Sequence, residues 1–135
     1  MVVEPELAPC LFESAKRGAM HNVVIEEETI MAGLSCGEPS PLAWQILSDE
    51  ASDFITIPDA SIPPTVRLLA RPLSGDPVVE SGESGVAGLA ALLLARLHAD
   101  TSEKLGLDAS SRVLLIGSEG ITDPEIYQQI MDGTL

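Results

Sequence analysis

Aromatic residues are scarce in this sequence, at 3% of 135 residues, while hydrophobic residues of all kinds make up 45%. A hydrophobic core must therefore consist almost entirely of aliphatic side chains, in one domain or in part of a larger one. Only two cysteines are present, which is too few for the disulfide framework of a small secreted protein. They can pair with each other or remain thiols.

Basic residues are also few, since 7 Lys and Arg stand against 21 Asp and Glu and the formal net charge is −14. A chain without a basic patch cannot neutralise phosphates, so we expect no nucleic-acid partner and no anionic membrane surface. No apolar run approaches the roughly 18 residues of a membrane span, and no basic leader precedes an apolar one. We therefore expect a cytoplasmic protein. The three glutamates at residues 26–28 predict an exposed turn rather than a metal site.

Apolar and β-branched runs alternate with segments of helical periodicity. Strands are predicted at residues 1–5, 23–25, 53–57 and 112–117, and helices at residues 9–20, 42–51, 60–70, 82–98 and 123–131. The run at 112–117 is apolar throughout, as in a parallel strand covered on both faces. This alternation predicts an α/β fold, with a partial parallel sheet and flanking helices in one incomplete domain over residues 1–135. Because the chain opens directly on a strand, we expect an upstream segment to be missing.

The helix predicted at 82–98 begins with an unusual run, Ser-Gly-Glu-Ser-Gly at residues 81–85. Backbone amides at a helix N-terminus are unpaired, and small residues let a ligand approach them closely. One interpretation is an ordinary capped helix, with Ser81 or Ser84 as the N-cap and Glu83 in the favourable first turn. The other interpretation is a contact with a ligand.

Several segments, in this order, resemble fold-type II pyridoxal-phosphate enzymes, whose fold is that of the tryptophan synthase β subunit. They are VVEPELAPC (2–10), TIMAGLSCGEPS (29–40), FITIPD (54–59), SGESGVAGLAAL (81–92) and LGLDASSRVLLIGSEGITDPEIY (105–127). The first resembles the V-E-P-E strand of the threonine dehydratases. The second and fourth are more similar to the diaminopropionate ammonia-lyases, and the last resembles the final strand and its T-E-G-x-T-D-P loop.

The resemblance implies that the chain is the C-terminal portion of a pyridoxal-phosphate-dependent carbon–nitrogen lyase. The complete protein would convert 2,3-diaminopropionate to pyruvate and ammonia by β-elimination. The family's pattern places Glu83 and Gly85 beside the cofactor, and it places Ser118, where the family usually has Thr, at the pyridine nitrogen. A hydroxyl does not hold that nitrogen protonated, which suits β-elimination. Ile121 departs from the pattern, which often has Asp there.

Parts of such an enzyme are absent from this sequence. The resemblance places the Schiff-base lysine and a glycine-rich phosphate loop upstream of the V-E-P-E segment. Lys16, in SAKRGA, imitates the family's lysine motif but follows that segment, and Lys104 lies in a polar turn. His21 and His98 are isolated, so no metal site is predicted. We therefore expect no catalytic residue in this chain.

The resemblance also implies partners: a small amino-acid substrate, a missing N-terminal portion or a complementing chain, and a second copy in a homodimer of the complete protein. It places Cys10 and Cys36 near each other at the pocket entrance, close enough for a possible disulfide. Two alternatives stay open. One is a threonine or serine dehydratase of the same fold, and the other is a non-catalytic fragment that acts only by association.

Overall fold

A computed structural model of the protein describes residues 1–73 and 75–135. The strands are β1 (Val2–Pro5) and β2 (Phe54–Ile57), and the helices are α1 (Cys10–Arg17), α2 (Pro41–Glu50), α3 (Ile62–Ala70), α4 (Ala87–Leu97), α5 (Ala99–Lys104) and α6 (Pro124–Asp132). Short 3₁₀ turns lie at Ala32–Leu34 and Asp59–Ser61. The predicted α/β fold, with a partial parallel sheet and flanking helices, is confirmed. The chain separates into two compact units, Met1–Asp59 and Ala60–Leu135.

The first unit is built on the pairing of β1 with β2. The two strands run parallel, in a register from Val2 opposite Phe54 to Pro5 opposite Ile57. Parallel strands need a long connection between them, and α1 and α2 belong to that connection. The side chains of Met31 and Ile57 are fully buried in this unit, so aliphatic residues form its core as the composition predicts.

Glu4 ties β1 to the start of α1. The residue before α1 is Pro9, which makes no side-chain capping bond. The carboxylate of Glu4 instead accepts hydrogen bonds from the amides of Leu11, at 2.9 Å, and Phe12, at 2.7 Å. Glu4 is buried, and Cys10 Sγ donates to the same carboxylate at 3.5 Å. An anion at a helix N-terminus is favourable, so one buried acidic residue joins sheet and helix.

Residues 29–31 are held by Asp59, which lies two positions after β2. The Asp59 carboxylate accepts from Thr29 Oγ1 at 2.5 Å and from the amide of Ile30 at 2.7 Å. The strand predicted at residues 23–25 is wrong. Val23 donates its amide to the carbonyl of Gly37 at 2.8 Å, but this segment lies in no strand because no neighbouring ladder extends the contact.

In the second unit, α3 and α6 are joined through arginine side chains. The Arg67 guanidinium donates to the carbonyl of Ile130 at 2.7 Å, and Arg71 donates to the carbonyl of Met131 at 3.4 Å. Cations near the last carbonyls of a helix satisfy acceptors that have no partner within the helix. Helix α6 begins as the sequence predicts, since the Asp123 carboxylate accepts from the amides of Glu125 and Ile126, both at 3.0 Å.

Helix α4 differs from its prediction at both ends. It begins at Ala87 rather than at residue 82, and at His98 the chain turns into α5. Lys104, placed in a polar turn by the sequence, is the last residue of α5. Alanines of α4 are buried, whereas Leu93 and Leu97 are exposed.

The strand predicted at residues 112–117 is also wrong for this structure. In the described part of the chain this segment has no strand pairing, and Leu114 and Ile116 are 86% and 84% exposed. A strand needs a neighbour to complete its hydrogen bonds, and the apolar run has none here. The prediction that residues 1–135 form one incomplete domain stays a prediction. Over residues 1–73 and 75–135, no helix combines the length and apolar character of a membrane span.

Replacing Glu4 tests the link between β1 and α1. Glu4→Ala leaves two helix amides without their acceptor, so we expect the free energy of unfolding to fall by about 1–3 kcal/mol. Glu6→Ala is the control, because Glu6 is exposed and directly follows β1. Its loss should change the free energy of unfolding by less than about 0.5 kcal/mol. Urea denaturation measures both variants. Equal effects of the two substitutions would contradict a capping role.

Candidate functional site

Two segments meet at the head of α4. They are the turn formed by residues 81–85, named here the 81–85 turn, and the loop of residues 117–120, named the 117–120 loop. Ser81, Gly82 and Glu83 are buried. The carbonyl of Glu119 accepts a hydrogen bond from Ser81 Oγ at 3.2 Å and a longer one from the amide of Gly82 at 3.4 Å.

The side chain of Glu119 caps the amides of the turn. Its Oε2 accepts from the amide of Ser84 at 2.8 Å and from that of Gly85 at 3.1 Å. Its Oε1 accepts from Thr122 Oγ1 at 3.1 Å. The residue before α4 is Val86, which makes no side-chain cap. The interpretation of Ser81 or Ser84 as the N-cap is therefore wrong, because a carboxylate distant in sequence supplies the acceptor.

The two glycines of the turn are required by close backbone contact. A Cβ on Gly82 would lie 2.3 Å from the carbonyl oxygen of Gly120. A Cβ on Gly85 would lie 2.6 Å from the carbonyl oxygen of Glu119 and 2.5 Å from Ser81 Oγ. No side chain fits at these distances, so the composition of the turn follows from its packing against the 117–120 loop.

Glu83 is a buried acid with one unpartnered oxygen. It is 5% exposed, and its Oε1 has no hydrogen-bond partner among the described residues. Burial raises the pKa of Glu83 above its usual range, and the nearby carboxylates of Glu119 and Asp123 raise it further. Because a buried polar atom without a partner is costly, this oxygen is suited to a contact with a bound group.

The structure does not place Glu83, Gly85 and Ser118, the three predicted cofactor residues, in the lining of one pocket. Gly85 and Glu119 line a pocket with Leu115, Gly117 and residues of α4, while Glu83 and Ser118 are not among its lining. Ser118 is exposed and lies next to Glu119 in a segment without strand pairing. Its predicted place at the carboxyl end of a strand is therefore wrong for the described residues. The assignment of Ser118, Glu83 and Gly85 to the cofactor stays a prediction.

Both lysines lie at the surface. The Lys16 side chain is 58% exposed, forms an ion pair with Glu13 at 2.8 Å and lies over the Phe12 ring. Lys104 is exposed at the end of α5. A Schiff-base lysine needs a lowered pKa, which desolvation or a neighbouring cation provides and an acidic partner opposes. Neither environment is suited to that role.

The two cysteines line one pocket of the first unit and are both free. Cys10 is buried, and Cys36 is exposed. Burial, followed by the Glu4 carboxylate beside it, raises the pKa of Cys10 to about 12. The Cα separation that a disulfide requires stays a prediction.

Glu119 is the site residue that sequence reasoning missed. A usable signal was present, because the 81–85 turn predicts several unpaired amides and these need an acceptor somewhere in the chain. Nothing in the spacing identifies which of the 21 acidic residues supplies it.

Comparison with known proteins gives one consistent family. The sequence pattern described as "Pyridoxal-phosphate dependent enzyme" matches residues 1–119. Diaminopropionate ammonia-lyase of Escherichia coli strain K12 is 40% identical over 134 residues, covering 97% of this chain and 34% of the relative. The enzyme of the same name from Salmonella typhimurium strain LT2 is 44% identical over 137 residues, with the same coverage. The chain thus spans about a third of the length of these curated relatives.

Solved structures agree with the sequence comparison. The crystal structure of diaminopropionate ammonia-lyase from Escherichia coli with an aminoacrylate–PLP azomethine reaction intermediate matches with a TM-score of 0.87 and 39% identity. The match covers 97% of this chain and 34% of that one. The crystal structure of the T.th. threonine deaminase has a TM-score of 0.62 at 21% identity, with 71% of this chain and 34% of that one covered. At that identity the second likeness shows a shared fold alone.

Alanine at the turn glycines tests the close contact. Gly82→Ala and Gly85→Ala each force a Cβ against a backbone carbonyl, so we expect the free energy of unfolding to fall by about 1–3 kcal/mol. Gly120→Ala is the control, because nothing lies within 4 Å of its Cβ position. Thermal or urea unfolding compares the three variants. The contact is disproved if all three are equally stable.

Alkylation kinetics test the Cys10 environment. With a pKa of about 12, roughly one Cys10 thiol in ten thousand is ionised at pH 8, and the thiolate is the reactive form. We expect the native protein to show one fast thiol, Cys36, and one slow thiol whose rate increases with pH beyond pH 8. Cys36→Ser isolates the slow thiol. Glu4→Gln removes a neighbouring charge, lowers the pKa of Cys10 and raises its rate. Two equally fast native thiols would contradict this assignment.

Proposed function

Since the chain belongs to the pyridoxal-phosphate dependent enzymes, we propose that the polypeptide carrying it is a carbon–nitrogen lyase acting on 2,3-diaminopropionate. One substrate molecule and one water give one pyruvate and two ammonia molecules. The observation that carries this proposal is the similarity to two bacterial diaminopropionate ammonia-lyases along almost the whole of this chain. A relative's structure with D-serine supports a small amino acid as the class of substrate.

The residues of the 81–85 turn fit the cofactor ring better than its phosphate. Glu119 already occupies the amides of Ser84 and Gly85, and its negative charge repels a phosphate there. The Glu83 oxygen that has no partner among the described residues, and the part of Gly85 that lines the pocket, remain for a ring. We propose that these two residues form one wall of the cofactor site. Pyridoxal phosphate, when bound, supplies an electron sink for the pair left by the α-proton.

The raised pKa of Glu83 gives that wall a specific chemistry. A carboxyl group whose pKa is raised keeps a proton at higher pH, and a protonated carboxyl donates as well as accepts a hydrogen bond. Glu83 therefore takes up a proton at a higher pH than an exposed glutamate does, and in that protonated form it presents a neutral polar contact to the cofactor. A neutral contact adds no negative charge to the site. A negative charge there would disfavour removal of a proton from the substrate.

Ser118 is the proposed partner of the pyridine nitrogen. It directly precedes Glu119, which is bound to the 81–85 turn, so its hydroxyl belongs to the same corner of the second unit. A neutral hydroxyl leaves the ring nitrogen unprotonated. This limits carbanion stabilisation and favours rapid loss of the β-amino group over slower reactions.

Further components of the active enzyme come from outside residues 1–135 in this proposal: the lysine and the phosphate loop, in an N-terminal portion or a complementing chain. Exposed apolar side chains support such a partner. Leu114 and Ile116 lie on an unpaired segment, and Leu97 on α4 is 77% exposed. An apolar extended segment is completed by strands on either side. We further propose that the complete protein is a homodimer. We also propose a cytoplasmic location, which the two free thiols support.

A chimera tests the proposed function. Residues 1–135 replace the matching third of Escherichia coli diaminopropionate ammonia-lyase, and pyruvate release from 2,3-diaminopropionate is followed. We expect activity, together with cofactor binding. Borohydride reduction and digestion should label neither Lys16 nor Lys104. Turnover of threonine or serine alone would indicate the dehydratase alternative, and a chimera without cofactor or turnover would indicate a fragment that acts only by association.

Substitutions at Ser118 in the same chimera test its assignment. Ser118→Ala leaves a buried ring nitrogen unpaired, which should weaken cofactor affinity by roughly five- to 150-fold. Ser118→Thr keeps the hydroxyl and should be nearly silent. Ser48→Ala is the matched control, because Ser48 is exposed on α2. Wild-type affinity and turnover in Ser118→Ala would show that the assignment is wrong.

A further inference from the structure

We infer that Glu119 is a positioning residue for the cofactor site, which places the Ser118 hydroxyl by binding the 81–85 turn through both its main chain and its carboxylate. The inference rests on the proposed function, because it assigns a role to a neighbour of Ser118. In this role Glu119 acts through Ser118 and the turn rather than by a contact of its own with the cofactor.

Glu119 holds the turn at two separate points. Its carbonyl accepts from Ser81 Oγ and the Gly82 amide, and its carboxylate accepts from the amides of Ser84 and Gly85. One contact point fixes a distance, whereas two fix an orientation. The residue on either side of Glu119 is therefore restricted in direction as well as in place. Ser118 is one of those two residues.

Glu119 supplies hydrogen bonds that join the 117–120 loop to the turn. Residues 112–118 have no strand pairing in the described structure, and Ser118 is exposed. Close backbone approaches add to these bonds, since the Gly120 carbonyl oxygen lies 2.3 Å from the Cβ position of Gly82 and the Gly85 carbonyl oxygen lies 3.4 Å from that of Gly117. The directional contacts next to Ser118 are those of Glu119.

The carboxylate has the chemistry that this attachment needs. The amides of Ser84 and Gly85 bind an anion more strongly than a neutral acceptor, since charge-assisted hydrogen bonds are stronger. Thr122 Oγ1 donates to the other carboxylate oxygen, so rotation of the group is restricted from the opposite side. Gln at this position keeps one acceptor and the shape but loses the charge. Asp keeps the charge but is one methylene too short to reach both amides.

A double-mutant cycle distinguishes positioning from general stabilisation. In the chimera, Glu119→Gln should weaken cofactor affinity by about tenfold, and kcat should fall more than KM rises. In a Ser118→Ala background the same substitution should change affinity by less than about twofold, because its effect is transmitted through the hydroxyl. Glu125→Gln is the control, since Glu125 is an exposed acid at the start of α6.

Hydrogen exchange gives a readout that does not depend on activity. Amides of the 81–85 turn should exchange faster in Glu119→Gln and in Glu119→Ala, while α3 and α6 keep the protection of the unsubstituted protein. Equal effects of Glu119→Gln with and without Ser118, or unchanged exchange of the turn, would overturn the inference. If the unsubstituted chimera lacks activity and cofactor, the proposed function fails and the inference falls with it. An active chimera with a silent Glu119→Gln removes the inference alone.

Discussion

The carboxylate of Glu119 on the amides of the 81–85 turn is the interaction on which the candidate site depends. Free amides at the head of a helix attract an anion, and this chain supplies its own from a loop that is distant in sequence. Bringing that loop close enough leaves no space for a Cβ at Gly82 or Gly85. Glu83 is buried in the same turn, and burial, followed by the nearby carboxylates of Glu119 and Asp123, raises its pKa. The contact between Glu119 and the turn thus accounts for the glycines at positions 82 and 85.

In the first unit, Glu4 likewise accepts hydrogen bonds from amides at the start of a helix. Helix α1 follows a proline that cannot cap it with a side chain, and a buried acid of β1 accepts from its first amides. The 21 acidic residues, which outnumber the 7 basic ones, therefore do not all lie at the surface. Some of the acids are internal connectors between elements, and their environment also determines neighbouring chemistry. The raised pKa of Cys10 beside Glu4 is an example.

In the proposed function, these contacts favour an aromatic ring over a phosphate at the 81–85 turn. The anion position is filled by Glu119, and Glu83 keeps one oxygen that has no partner among the described residues. Membership of the pyridoxal-phosphate dependent enzymes supports the identity of that ring. The exposed leucines of α4 and the unpaired apolar segment around Leu114 support a larger assembly, in which further protein covers both.

Local signals in the sequence determined most of the regular structure. The β-branched run before Pro58 predicted β2, and Asp123 with Pro124 predicted the start of α6. The family motifs also determined that Glu83, Gly85 and Ser118 should be considered together. Tertiary structure alone decided the start of α4, the unpaired state of residues 112–117 and the role of Glu119. Each depends on a partner distant in the chain, or on the lack of one, and hydrogen bonds between residues 84 and 119 leave no trace in the spacing of either segment.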